Sequence, residues 1–252
     1  MASLDSAAPS TPDDAGVGDR LRMALVLRHD ETIHLGNLEP VLREHGYALT
    51  VLDTPGADFS AVDPAAADLV VVLGGDMGVY ESAEHPYLVD EIALIRARLE
   101  AERPVFGVCL GAQLMAESLG STVYKGPSNE IGYRSVEPTV EGASSPVRHI
   151  AGVPVMQWHS DTFELPEGVT RLAGSPEYRN EAFGIGNWAL AVQFHPEVTP
   201  EMHERWLEDS AEALAAEGVA ADTLRAENER YNATMQQASR RLFSEYLDGI
   251  AE

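Results

Sequence analysis

Two residue types are almost missing from this chain of 252 residues. It has one cysteine, Cys109, and one lysine, Lys125. A single cysteine excludes an intrachain disulfide and fits a reducing cytosol. With lysine gone, arginine carries nearly all the positive charge. The 17 basic residues face 41 acidic ones, a formal net charge of −24. So negative a chain does not neutralise phosphates, which excludes a nucleic-acid partner. No run of 18 or more apolar residues occurs, so neither a transmembrane helix nor a membrane partner is expected. Met1 to Asp19 is rich in Ala, Ser, Pro and Asp and has no basic start or apolar stretch. Residues 1–20 therefore read as a disordered acidic tail rather than a secretory signal, and the expected location is cytoplasmic. Gly-x-Gly-x-x-Gly, Gly-Lys-Ser/Thr and His-Glu-x-x-His are all absent. No nucleotide site, metal site or cofactor is expected.

The acid excess has a physical consequence. Carboxylate repulsion at −24 opposes compaction unless salt screens it. Together with lysine depletion and abundant alanine, it points to a halophilic protein from a salt-accumulating organism. An acidic protein from a GC-rich genome is the competing reading, because GC-rich codons also favour Ala and Arg over Lys.

Apolar runs place the elements. Arg22 to Arg28, Tyr47 to Asp53, Asp68 to Leu73 and Pro104 to Val108 read as buried strands. Asn37 to His45 reads as a helix stopped by Gly46. Tyr87 to Glu102 is helical, with Leu88, Ile92, Ile95 and Leu99 on one face. Alternating strands and helices give a parallel sheet covered on both sides. After Gly120 come short β-like runs at 121–124, 132–137, 153–158, 171–173, 182–186 and 189–194, an antiparallel extension that returns to the main sheet. Glu201 to Ala216 and Ala221 to Asp248 read as acidic amphipathic helices broken near Gly218. The expected organisation is one α/β domain over 21–198 and a C-terminal helical extension over 199–252 packed on it.

The cysteine lies where chemistry is expected. An apolar strand runs into Gly107-Val108-Cys109-Leu110-Gly111, and a helix follows. This is the pattern of a nucleophile elbow with cysteine in place of serine. The flanking glycines let the chain cross itself at a sharp turn. The following helix presents its positive end to the sulfur, which favours a thiolate. Alone, Cys109 would read as a small buried core residue. A second element changes that: His195-Pro196-Glu197 ends the strand 189–194. A strand-end histidine can serve as general base, and a residue two positions on points the same way, so Glu197 can orient His195. A third element, Gly74-Gly75, ends the third strand. Its exposed N–H groups, with that of Leu110, could form an oxyanion hole.

Gly-Val-Cys-Leu-Gly-Ala-Gln (107–113), Phe-His-Pro-Glu (194–197) and Gly-Gly-Asp-Met-Gly-Val-Tyr (74–80) resemble class I, triad-type glutamine amidotransferases. Trp158-His159-Ser160-Asp161-Thr162-Phe163 looks like a loop of the glutaminase domain of GMP synthase. The resemblance runs from about Arg22 to Val198. It implies a flavodoxin-like three-layer α/β sandwich with a mixed, mostly parallel central sheet, the elbow, an antiparallel extension and C-terminal helices. It further implies that Cys109 attacks the glutamine amide, His195 shuttles protons and Glu197 orients it. Gly75 and Leu110 would supply the oxyanion N–H groups. Gln113 would hold the substrate, and His159, Ser160 and Asp161 would recognise its amino-acid end. Asp76 departs from the family, where proline usually follows the Gly-Gly turn.

The function so implied is hydrolysis of glutamine to glutamate and ammonia through a γ-glutamyl thioester, with ammonia passed to a separate ATP-dependent synthetase. A γ-glutamyl peptidase or hydrolase would use the same triad with a different leaving amine. A non-catalytic binding or regulatory module is the third reading, and the intact triad argues against it.

Overall fold

The computed structural model describes residues 21–251, so the expected tail over 1–20 lies outside the described residues. The main sheet has eight strands: β1 (Arg22–Arg28), β2 (Tyr47–Asp53), β3 (Leu69–Val72), β4 (Val105–Val108), β6 (Glu137–Pro138), β8 (Thr170–Gly174), β9 (Ala182–Ile185) and β10 (Ala189–Val192). A separate two-stranded ribbon joins β5 (Val123–Ser135) to β7 (Pro154–Phe163). The sheet order is β2-β1-β3-β4-β10-β9-β8-β6. Strands β2 through β10 in that order are parallel, and the rest are antiparallel.

Both faces of the sheet are buried, and strand alternation divides the core in two. In β3, Leu69 and Val71 join one cluster while Val70 and Val72 join the other. The first cluster is closed by α1 (Glu39–Glu44), α4 (Pro200–Asp209) and α6 (Ala221–Gly249), through Leu42, Trp206, Phe243 and Leu247. The second is closed by α2 (Tyr87–Glu100) and α3 (Leu110–Ser118), through Leu88, Ile95, Leu114 and Met115. The result is the three-layer, flavodoxin-like α/β sandwich with a mixed, mostly parallel sheet.

The structure departs from the sequence reading in four places. Residues 121–124 and 132–137, expected as separate strands, belong for the most part to the long strand β5. Its pairing with β7 shifts register between Lys125 and Glu130. His159 to Asp161, expected in a loop, lie inside β7, where Glu130 pairs with His159 and Lys125 with Asp161. Polar side chains there hide a strand that is buried at the bottom of a cleft rather than in a core. The helix expected over 37–45 begins as a 3-10 turn at Gly36–Leu38. The helix expected over 201–216 breaks at Ser210 into α4 and α5 (Ala211–Ala216).

Candidate active site

The elbow is built as its glycines require. Cys109 has φ +51 and ψ −109 and caps α3. A non-glycine residue in such a conformation costs on the order of 1–3 kcal/mol and persists only where the surroundings enforce it. Those surroundings are visible at the glycines. A Cβ on Gly107 would lie 2.8 Å from the Gly111 carbonyl oxygen, and one on Gly111 would run into the carbonyl of Val72. The Cys109 N–H donates to the Val192 carbonyl at 2.9 Å, which locks the elbow to the neighbouring strand β10.

That strand leads into the histidine. His195 Nδ1 lies 2.7 Å from Glu197 Oε1, and both side chains are buried. The His195 N–H donates to the Met156 carbonyl at 2.8 Å, and the ring meets Trp206 edge-on at 4.8 Å between centroids. Burial by itself would lower the imidazole pKa, but the Glu197 carboxylate and then the Cys109 sulfur outweigh it and hold His195 well above its usual value. The surroundings therefore favour a proton on His195 beside the Cys109 sulfur.

Opposite them lies the Gly74–Gly75 turn. A Cβ on Gly74 would sit 3.1 Å from the His195 ring and 3.6 Å from Cys109 Cβ. The Gly74 carbonyl points away from the site and meets His29 Nδ1 at 2.9 Å, while His29 Nε2 lies 3.1 Å from the Glu91 carboxylate. In a trans peptide the next N–H points opposite to the carbonyl. His29 and Glu91 thus fix the orientation of the Gly74–Gly75 peptide, and Gly75 borders the cleft. Sequence reasoning misses both, because a lone His and a helix Glu carry no spacing signal.

Two cavities meet at Cys109. One, of about 420 Å³, is bordered by Gly75, Cys109, Gln113, Trp158, His159, Ser160 and Asp161. The other, of about 280 Å³, is bordered by Gly75, Cys109, His195, Trp206 and the acids Asp30, Glu31, Asp76 and Asp209. Ser210, between α4 and α5, borders both, so the C-terminal helices roof the cleft. Gln113 Nε2 donates to Gln193 Oε1 at 3.3 Å. Ser160 Oγ donates to Asp161 Oδ1 at 3.4 Å. The His159 ring edges the larger cavity, but its nitrogens turn inward: Nδ1 faces the Asp161 carbonyl and Nε2 faces Glu130. Of the residues expected at the site, Gly75, Cys109, Gln113, His195, His159, Ser160 and Asp161 border one or both cavities, while Glu197 and Leu110 are buried behind them.

The fold is thus an α/β sandwich with a cysteine at a strand–helix elbow and a buried His–Glu pair at the end of the adjacent parallel strand. The class I glutamine amidotransferase model matches residues 33–214, and the chain belongs to that family. The crystal structure of a glutamine amidotransferase from Thermotoga maritima superposes with a TM-score of 0.82 at 34% identity, covering 90% of this chain and 99% of that one. A glutamine amidotransferase-like protein, YfeJ, of Salmonella typhimurium is 35% identical over 153 residues, 59% of this chain and 64% of that protein. The chain thus spans less than two thirds of that relative's length. A glutamine-hydrolysing GMP synthase subunit from Natronomonas pharaonis is 33% identical over 184 residues, 70% of this chain and 88% of that protein.

Proposed function

We propose that this chain hydrolyses the side-chain amide of glutamine, with Cys109, His195 and Glu197 as the triad. The observation that carries the reading is the strained Cys109 beside a buried His195 whose Nδ1 lies 2.7 Å from Glu197 Oε1. Cys109 Sγ, as the thiolate paired with protonated His195, attacks the amide carbon, and the N–H groups of Gly75 and Leu110 receive the developing oxyanion. His195 donates its proton to the departing nitrogen, so ammonia leaves and a γ-glutamyl thioester remains. Neutral His195 then takes a proton from water as the water attacks the thioester. Glutamate is released, and the Cys109 thiolate and protonated His195 are restored. Gln113 and the 159–161 segment border the side of the cleft suited to the amino-acid end of glutamine. The Natronomonas relative is named as one subunit of an enzyme, which supports delivery of ammonia to a separate synthetase here as well.

One observation favours a second reading. The cavity on the His195 side offers about 280 Å³ on the leaving-group side, and it is lined by four carboxylates and Arg205. Desolvation and the proximity of Asp30 raise the Asp76 carboxyl, as expected where negative charge is crowded and a cation would be welcome. A γ-glutamyl amide with a cationic amine as leaving group fits that space. The deciding experiment is kcat/KM of the purified chain for glutamine and for a panel of γ-glutamyl dipeptides and amines. Preference for glutamine is expected. A clear preference for the larger substrates would assign a γ-glutamyl hydrolase and leave the triad intact.

A further inference from the structure

Behind the cleft lies a buried polar cluster that hydrolysis does not use. Glu130 comes from β5, His159 from β7, and Glu181 from the residue just before β9. They are 4%, 8% and 0% exposed. One ligand-type atom from each lies within 4.8 Å of the others. The notable feature is the direction of these atoms. His159 Nδ1 is 3.1 Å from the Asp161 carbonyl, an acceptor only, so Nδ1 carries the hydrogen. In the neutral ring, Nε2 is then a bare lone pair, and it faces Glu130 Oε2 at 3.3 Å. Neither of these two atoms has a hydrogen-bond partner, and neither has Glu181 Oε1. Gln157, fully buried beside them, donates from Nε2 to Glu181 Oε2 at 3.0 Å and leaves its own Oε1 without a partner. Four buried acceptors gathered in this way cost several kcal/mol unless a cation or protons intervene.

We infer that Glu130, His159 and Glu181 form a structural site for one divalent transition-metal ion of the zinc type, with the Gln157 carbonyl oxygen available as a fourth donor. One nitrogen with carboxylate and amide oxygens is a donor set that zinc accepts. Bond lengths of about 2.0–2.2 Å put neighbouring ligand atoms of a tetrahedral ion about 3.3 Å apart, the separation already present between His159 and Glu130. The hydrogen bond from Nδ1 to a main-chain carbonyl is the usual support of a metal-bound histidine, because it fixes the tautomer that presents Nε2. The charges also close: two carboxylates and a divalent ion sum to zero in a place where two uncompensated carboxylates would not persist. The donors sit far apart in sequence, which is why no metal-ligand spacing betrays them. An ion here would pin the β5–β7 ribbon, and with it His159 to Asp161, to the main sheet at β9.

The test uses the full, tag-free chain as Cys109→Ala, which removes the one thiol that would bind zinc independently. After chelation and desalting, the protein is titrated with Zn²⁺ in molar KCl by calorimetry, with Mg²⁺ as a control, and its thermal midpoint is followed. One equivalent of zinc bound at micromolar Kd or tighter is expected, with a higher midpoint. Glu181→Gln, which keeps shape and hydrogen bonding, and His159→Gln should each weaken binding at least tenfold. Circular dichroism establishes that both variants are folded. Absence of saturable zinc binding would overturn the site. Binding that both variants leave unchanged would overturn it equally, by placing the ion elsewhere. None of these readouts depends on glutamine turnover, so they stand apart from the proposed activity.

Discussion

Gly36 lies against the main chain of Glu197. A Cβ on Gly36 would run into the Glu197 carbonyl oxygen and come within 2.7 Å of Met202 Sδ, and Gly36 itself has φ +43. The next residue, Asn37, donates its N–H to that same carbonyl at 2.8 Å. The start of the α1 segment is thus seated directly on the residue that orients His195. Gly36→Ala should lower stability by roughly 1–3 kcal/mol through overpacking and also depress hydrolysis, because Glu197 must move. Gly46→Ala is the control: its φ is +77, but its Cβ would meet nothing within 4 Å. It should cost stability alone. Urea melts and kcat/KM for the two variants decide this, and equal activity in both would break the proposed link between Gly36 and the triad.

His29 offers a test of the oxyanion turn. It holds the Gly74 carbonyl at 2.9 Å and is itself held by Glu91. His29→Gln should free the Gly74–Gly75 peptide to rotate. Loss of one oxyanion donor costs about 10²–10³ in kcat, and a loosened one should cost somewhat less. Alkylation of Cys109 by iodoacetamide needs no oxyanion donor, so its rate should remain near that of the unaltered chain. Parallel losses in hydrolysis and alkylation would instead mean that the whole elbow had been disturbed.

The pH dependence follows from His195. Burial opposes its charge, Glu197 and then Cys109 favour it, and the net shift is upward. A raised pKa keeps the imidazolium present at neutral pH and loses it only as pH rises through the raised value. The alkaline limb of kcat/KM should therefore lie well above the ordinary histidine range. Glu197→Gln removes the strongest stabilising charge, leaves burial in place, and should move that limb to lower pH. At neutral pH this variant should retain about one to two orders of magnitude more activity than His195→Ala, since it still orients the ring. Coincident pH profiles for the unaltered chain and Glu197→Gln would contradict this account.

Local signals carried much of this architecture. Arg22–Arg28 and Tyr47–Asp53 are strands at the bounds their apolar runs suggest, and the elbow at Cys109 follows from Gly107 and Gly111. What stayed hidden depends on contacts between distant segments. Glu91 and Arg98 lie on the buried face of α2, which periodicity alone would assign to apolar residues. Arg98 is accommodated there because its guanidinium donates to the carbonyls of Pro64, Ala67 and Pro104. Glu130, His159 and Glu181 meet only because a ribbon folds over the sheet. Ser160 and Asp161 read as a loop because polarity ordinarily signals exposure, whereas β7 runs beneath a cleft.

The charge excess calls for its own measurement. Exposed arginines are already enclosed by acids, as Arg225 is by Glu204 and Asp222. The remaining carboxylates repel one another with little to offset them, and the screening length falls from about 10 Å at 0.1 M to about 3 Å at 1 M salt. The thermal midpoint and the glutaminase rate should both rise from dilute buffer into molar KCl. A midpoint that stays flat or falls would remove the case for salt adaptation and leave codon composition as the reason for the acid excess.

The hydrogen bond from the Cys109 N–H to the Val192 carbonyl bears on how this chain can change through evolution or engineering. Cys109 and His195 are spaced by main-chain pairing of β4 with β10, in which Val108 stands opposite Val192. Side chains around them can be exchanged while that register holds. A single-residue insertion or deletion within 105–109 or 189–195 cannot be absorbed in the same way, because slipping by one residue turns alternate side chains to the opposite face. Length variation that spares activity should therefore accumulate outside these two segments, at sites such as the turns around Gly56, Gly152 and Gly168, where a Cβ would meet open space.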